Sequence, residues 1–145
     1  MARIIAIGVI PEKKAAKRLL EEAVFVQNGG LEDDFHRDDT ERAVSFMGIE
    51  TGQKLREQGI EGLCTSRFQT NITTEGIELK ALSAGDVLQM GGAEVKITQV
   101  GKECFAECRM VDRSRCPLRT ECAFGVTVTG GLAKVGDEVI IKAGS

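Results

Sequence analysis

Aromatic side chains are scarce in this sequence, which has no tryptophan, no tyrosine and six phenylalanines. Proteins that hold single-stranded nucleic acid commonly stack its bases on aromatic rings, so the composition disfavours that class. The formal net charge of -3 also gives no broad attraction to nucleic acid or to an anionic membrane surface. We therefore expect neither nucleic acid nor a membrane among the partners of this protein.

Long apolar runs and the common nucleotide-binding motifs are missing as well. No run approaches the ~18 apolar residues that a membrane-spanning helix needs. The apolar stretch from Met1 to Ile7 is too short for a signal peptide and precedes a highly charged segment. These features predict a cytoplasmic protein. No P-loop or dinucleotide-binding glycine pattern is present, and no Ser-His-Asp arrangement can be argued, which disfavours kinases, dehydrogenases and hydrolases.

Short segments rich in β-branched residues, separated by glycine turns, dominate the pattern. The 145 residues suffice for one domain with its own core, and no linker or repeat divides them, so we predict a single domain over residues 1–145. Many short strands with Gly-Asp and Gly-Gly turns favour a barrel or a sandwich. The predicted strands are Arg3–Val9, Ala23–Val26, Ala43–Met47, Val87–Met90, Ala93–Val100, Ala123–Thr129 and Glu138–Lys142.

Helical spacing of apolar residues occurs in two short segments. Lys13 to Glu22 carries alanines and leucines at helical intervals, and Glu50 to Gln58 precedes a glycine at the position of a C-terminal cap. The segment from Thr65 to Thr74 is polar and predicts a loop. The sequence therefore predicts a mainly β protein with one or two short helices.

Four of the five cysteines form the densest chemical signal, with the spacing C-x3-C-x7-C-x5-C and four arginines among them. Cationic neighbours favour the thiolate, which is both a nucleophile and a ligand for soft metals. Three interpretations stay open: a structural zinc or iron–sulfur site, cysteines packed as small hydrophobic residues (Cys64 and Cys122), or one reactive thiolate. An odd number of cysteines excludes complete internal pairing. The four are Cys104, Cys108, Cys116 and Cys122.

Several motifs follow one another in a distinctive order: Gly29-Gly30-Leu31-Glu32-Asp33-Asp34-Phe35-His36, Arg42-Ala43-Val44-Ser45, the stretch Arg67 to Ile77, Gly85 to Cys104, and Cys116-Pro117 through Gly130-Gly131 to Gly136-Asp137. This order resembles the MOSC domain, the C-terminal module of molybdenum-cofactor sulfurases, which also occurs as small stand-alone bacterial proteins. The resemblance extends from about Arg3 to Ile141. It implies a closed, mostly antiparallel β-barrel of the pyruvate-kinase barrel type, with a groove at one end.

The resemblance also implies a site. Cys104 occupies the position of the family cysteine that carries sulfur as a persulfide or ligates molybdenum, and Cys108, Cys116 and Cys122 are further candidate metal ligands. A pterin cofactor carries a phosphate, which needs cationic and hydroxyl or amide donors. The corresponding candidates for binding molybdopterin are His36, Arg42, Ser45, Arg67, Asn71 and Thr73.

Each candidate also has an ordinary structural interpretation. His36 is a local hydrogen-bond partner in that interpretation, Arg42 and Arg67 are solvated surface charges, and Asn71 caps a turn. Two departures from the family pattern bear on the site: Asp33-Asp34 stands where the family commonly has Gly-Asp, and Thr70 replaces an acid before Asn71.

We expect a molybdenum-cofactor-related sulfur carrier or cofactor-binding protein that uses the Cys104 thiolate. If it is an enzyme, it catalyses either sulfur transfer or molybdenum-dependent redox chemistry. Its partners would be cofactor-biosynthesis proteins or an acceptor molybdoenzyme. A small molybdoenzyme that reduces N-hydroxylated substrates is one alternative, and it needs an external electron donor. A cysteine-rich structural protein holding zinc or an iron–sulfur cluster is the other.

Overall fold

The computed structural model describes residues 2–12, 18–39, 42–50, 71–101 and 122–142. Strands dominate these residues, and a single 3-10 turn at Leu79–Ala81 separates β5 from β6. The strands are β1 (Arg3–Val9), β2 (Arg18–Leu20), β3 (Glu22–Phe25), β4 (Val44–Gly48), β5 (Ile72–Glu75), β6 (Val87–Met90), β7 (Ala93–Val100), β8 (Cys122–Thr129), β9 (Gly131–Lys134) and β10 (Val139–Lys142).

Eight of these strands form one strongly curled sheet, in the order β10-β6-β7-β8-β4-β5-β1-β2. All neighbours in it are antiparallel except β4 and β5, which are parallel. The remaining two strands, β3 and β9, pair as a separate antiparallel ribbon. The parallel pair requires a crossover connection, and residues 51–70 supply it in the sequence.

The concave side of the curled sheet holds one apolar core. It is built largely from alternate residues of the strands, such as Val44 and Phe46 of β4 and Ile72 of β5, which are fully buried. Because successive side chains of a strand point to opposite faces, the residues between them face the outside of the sheet. This alternation defines where the candidate site lies.

The two ends of the sheet approach each other without a continuous ladder. β1 and the residues before β10 share one antiparallel bridge, Arg3 with Glu138. Three backbone hydrogen bonds support it, among them the amide of Gly136 to the carbonyl of Ile4 at 2.8 Å. Gly136 has a φ of 95°, which favours glycine. In the described residues the sheet is thus a half-barrel, and the expected closed barrel is not formed.

The structure corrects two of the predicted elements. Arg18–Leu20 is a strand at the sheet edge, so the helix predicted for Lys13 to Glu22 is wrong in its second half. Three residues pair with β1 there, and that pairing overrides the helical spacing. The loop predicted for Thr65 to Thr74 is also wrong at its end, because Ile72–Glu75 forms β5 between β1 and β4. The sequence pattern missed β9 as well, since Gly131 suggested a turn.

Helix is almost absent from the described part of the chain. Ile49 and Glu50 have helical geometry, and the rest of the helix predicted for Glu50 to Gln58 lies outside the described residues. Within the described ranges, no helix has the length and apolar character required to cross a membrane.

A polar cluster on the sheet surface joins β7, β8 and β10. The ammonium group of Lys142 lies 2.9 Å from Oε2 of Glu94, and the hydroxyl of Thr129 donates to its Oε1 at 3.1 Å. These hydrogen bonds, and then the charge of Lys142, lower the pKa of Glu94. The cluster thus links β7, β8 and β10 near the edge of the sheet that β10 forms.

Candidate functional site

Most of the described candidate residues lie together on the convex, outer face of the sheet. Alternation places Ser45 there because Val44 and Phe46 belong to the core, and it places Asn71 and Thr73 there because Ile72 does. Strand register then arranges the outer face into two rows that cross five strands, which we call the outer patch. The first row is Gly8, Asn71, Ser45, Phe124 and Gln99, and the second is Ala6, Thr73, Met47, Cys122 and Gly101.

Ser45 and Asn71 are locked to each other at the centre of the first row. The backbone amide and the hydroxyl of Ser45 donate to Oδ1 of Asn71 at 3.0 and 3.1 Å, and the amide of Asn71 donates to Oγ of Ser45 at 2.9 Å. Nδ2 of Asn71 donates to the carbonyl of Gly8 at 3.0 Å. This network joins β4, the start of β5 and β1. Asn71 therefore fixes strand positions, which is more than the turn cap that its sequence context suggested.

Arg42 lies over the other end of the first row. Its Nε donates to Oε1 of Gln99 at 3.0 Å, and its guanidinium carbon lies 5.2 Å from the ring centroid of Phe124. Its backbone amide donates to Asp39 at 2.8 Å. The side chain is exposed, and its Nη groups form no hydrogen bond or ion pair with another described residue. A planar fork of cationic donors is therefore held in place and open to an anion.

Gly101 and Cys122 flank residues 102–121, which we call the cysteine segment, and Gln99 links Gly101 to Arg42. The amide of Gly101 donates to the carbonyl of Cys122 at 2.6 Å, which closes the base of the connection from β7 to β8. Cys122 is fully buried in the second row. Cys104, Cys108, Cys116 and Arg67 lie outside the described residues, so their roles stay predictions. Within the described ranges, no group of three or more metal-ligating side chains occurs.

Thr73 and His36 occupy different surroundings. Thr73 lies half-buried in the second row, and its hydroxyl forms no hydrogen bond with another described residue. His36 lies in the exposed loop before β4, with its ring edge-on to Phe35 at 4.9 Å. Its imidazole forms no hydrogen bond with the described part of the outer patch. The structure thus brings Arg42, Ser45, Asn71 and Thr73 together and leaves His36 in the adjoining loop.

Asp34 anchors that loop and was not recognised as important from the sequence. Its carboxylate is buried and accepts the backbone amides of Ile10 at 2.9 Å and His36 at 3.1 Å. The loop then packs so closely that a Cβ on Gly30 would overlap the carbonyl oxygen of Ala43. Asp34 is the acid that the family pattern shares, and its carboxylate fastens the loop to the end of β1. The departing residue is Asp33, which stands in place of the family glycine and is exposed.

Replacing Asp34 by asparagine is expected to lower the free energy of unfolding by about 1–3 kcal/mol, because one backbone amide then faces an NH2 donor in a buried place. Urea unfolding measures the difference. Asp33→Asn is the matched control, since Asp33 is exposed beside it and makes no such bonds. Equal stability of the two variants would contradict the anchoring role.

Gln99 and Phe124 are the other residues that sequence reasoning missed. Both contact Arg42, and Gln99 also donates through Nε2 to the carbonyl of Gly101 at 2.9 Å. Gln99 lies in the stretch Gly85 to Cys104, but neither residue carried a predicted role. Both stand close to the cysteine segment in the sequence, Gln99 before it and Phe124 after it.

The fold and the outer patch define a mainly β protein with a donor-rich site at the outside of a curled sheet. The family model described as "MOSC domain" matches residues 32–144. The chain belongs to the MOSC domain family, which is associated with molybdenum-cofactor-related functions. No curated protein matches the chain in a sequence comparison.

Solved structures share the fold. YuaD protein from Bacillus subtilis superposes with a TM-score of 0.76 at 14% identity, covering 97% of this chain and 96% of its own. YiiM from Escherichia coli gives a TM-score of 0.62 at 14% identity, covering 99% of this chain and 71% of its own. YiiM from Geobacillus stearothermophilus gives a TM-score of 0.66 at 14% identity, covering 99% of this chain and 76% of its own. At such identities, the similarity establishes the fold alone.

Proposed function

We propose that this protein handles the molybdenum cofactor or its sulfur through the thiolate of Cys104, with Arg42 receiving an anionic group of the cofactor. One observation carries the proposal: the guanidinium of Arg42 is fixed near the base of the cysteine segment, and its Nη groups bond to no other described residue. Cys104 follows Gly101 by three residues. Because three residues span no more than about 10 Å, Cys104 and Arg42 can serve one ligand.

The described donor set fits a phosphate-bearing group at Arg42. Phosphate takes two parallel hydrogen bonds from a guanidinium, and no described residue uses the Nη groups of Arg42. The hydroxyl of Thr73 is a second available donor on the outer patch. Ser45 and Asn71 form hydrogen bonds with each other, and Asn71 also donates to the carbonyl of Gly8. We therefore infer that the main role of these two residues is to hold the strands of the outer patch together. Their direct contact with the cofactor is a separate prediction.

Cys104 supplies the reactive group in this proposal. Molybdenum takes thiolate as a soft ligand, and arginines at positions 109, 113, 115 and 119 favour the thiolate over the thiol. In the carrier role, the thiolate attacks the outer sulfur of a donor persulfide. The new S–S bond forms on Cys104 as the donor's S–S bond breaks, and the donor leaves as a thiolate. A bound molybdenum centre would add redox chemistry, for which an electron donor must come from a partner.

The direct test is the element content of protein purified anaerobically from molybdate-supplied cells, together with its cyanolysable sulfur. Molybdenum or tungsten near one per chain supports cofactor binding, and sulfane sulfur without metal supports the persulfide carrier. Stoichiometric zinc or iron without molybdenum would instead establish the structural cysteine site. A loaded protein is then offered to a cofactor-free molybdoenzyme, whose activation identifies it as the acceptor.

Arg42→Ala is expected to weaken binding of molybdopterin by about ten- to a hundredfold, the effect of losing charge-assisted hydrogen bonds worth about 1.5–3 kcal/mol. A fluorescence titration of the pterin under anaerobic conditions measures the dissociation constant. Arg18→Ala removes an equal charge from the exposed edge strand β2 and serves as the control. If both variants bind as the unchanged protein does, Arg42 is not part of the cofactor site.

A further inference from the structure

A β-bulge in β7 turns Gln99 toward Arg42. Ile97 pairs with Gly125 and Gln99 with Phe124, so two residues of β7 span one step of β8. Ile97 faces the core, and regular alternation would send Gln99 inward as well. The extra residue, Thr98, shifts the alternation, and its hydroxyl donates to the carbonyl of Phe124 at 3.2 Å. Bulges commonly re-aim a side chain in this way.

The re-aimed amide of Gln99 has two partners with different roles. Its Oε1 accepts Nε of Arg42 at 3.0 Å, and its Nε2 donates to the carbonyl of Gly101 at 2.9 Å. The amide therefore connects the guanidinium to the backbone where the cysteine segment begins. Phe124 supports the guanidinium from below, so one polar and one aromatic contact fix its plane.

A neutral partner suits this position better than an acidic one. A carboxylate at residue 99 would also accept Nε of Arg42, but it would neutralise the charge that attracts an anion. An unfixed arginine would lose side-chain entropy on ordering around a ligand. Gln99 restrains the side chain in advance and leaves its charge intact.

We propose that Gln99 is a positioning residue, which holds Arg42 through Nε so that its Nη groups face a phosphate-type anion next to the cysteine segment. The inference rests on the proposed function only in taking Arg42 as the anion contact. Gln99 itself need not touch the ligand.

The test measures orthophosphate binding by isothermal titration calorimetry at low ionic strength, in the full chain and in three variants. Gln99→Met keeps the side-chain length without the amide and is expected to weaken binding roughly three- to tenfold. Arg42→Ala is expected to weaken it more. In the double variant, Gln99→Met should cost nothing further, because its effect passes through Arg42. A residue that merely stabilises the strand would give no such coupling.

Gln89→Met is the matched control, since Gln89 lies half-buried on β6 of the same sheet away from Arg42, and it should bind orthophosphate as the unchanged protein does. Gln99→Asn, whose shorter amide cannot reach both partners, replaces Gln99→Met if the latter fails to fold. Unchanged binding in the Gln99 variant, or additive effects in the double variant, would overturn the positioning role while the proposed function stands. If the unchanged protein does not bind orthophosphate, both this inference and the assignment of Arg42 fail.

Discussion

Protein with Cys104 replaced by serine is expected to carry neither molybdenum nor sulfane sulfur above background, while its fold is retained. A serine hydroxyl is not a soft metal ligand and cannot form a persulfide, so both routes through this residue end. Molybdenum per chain and cyanolysable sulfur, measured on the same anaerobic preparation, report the two routes separately. A loss of one signal alone would show which chemistry Cys104 performs.

Cys64→Ser is the matched control for that experiment, because Cys64 stands outside the cysteine segment and beside an apolar residue in the sequence. It should load as the unchanged protein does. Circular dichroism and the urea midpoint check that each variant is folded. Normal loading of a folded Cys104→Ser protein would remove Cys104 from the site and return the question to Cys108, Cys116 and Cys122.

The strands that the sequence predicted well are those whose pattern is local. β6, β7 and β8 are short, largely apolar segments beside glycine turns, and the expected positions match the structure within a residue. β2 and β5 were missed because their strand state depends on pairing with β1, which neither segment's own local pattern reveals. Residues 18–20 have helical spacing, and 72–75 are half polar, so neither shows its partner in the sequence.

The candidate site was predictable in part for the same reason. Ser45, Asn71 and Thr73 follow family motifs, and strand register places them on one face. That Ser45 and Asn71 bond to each other could not be read from a separation of 26 residues. Gln99 was beyond prediction, because its direction depends on a bulge that changes the alternation of β7. The sequence thus identified chemical groups, whereas the structure was needed to show which of them support the others.

Asn71→Ala is expected to lower the free energy of unfolding by about 2–4 kcal/mol, the second large effect anticipated for this protein. Asn71 is 6% exposed, and its side chain accepts the amide and hydroxyl of Ser45 and donates to the carbonyl of Gly8. Truncation leaves these groups buried without their partner, and each such group costs about 1–3 kcal/mol. Urea unfolding followed by circular dichroism gives the difference, with an unchanged m-value as the sign of a two-state comparison.

Thr73→Val, two residues along the chain, separates this effect from a general weakness of β5. Its hydroxyl has no hydrogen bond within the described residues, and valine suits a strand, so stability should stay within about 0.5 kcal/mol of the unchanged protein. A small loss of stability in Asn71→Ala would mean that water replaces Asn71 as the hydrogen-bond partner of Ser45 and Gly8. A large loss in Asn71→Ala alone would establish that the network of Ser45, Asn71 and Gly8 holds β1, β4 and β5 in the register on which the outer patch depends.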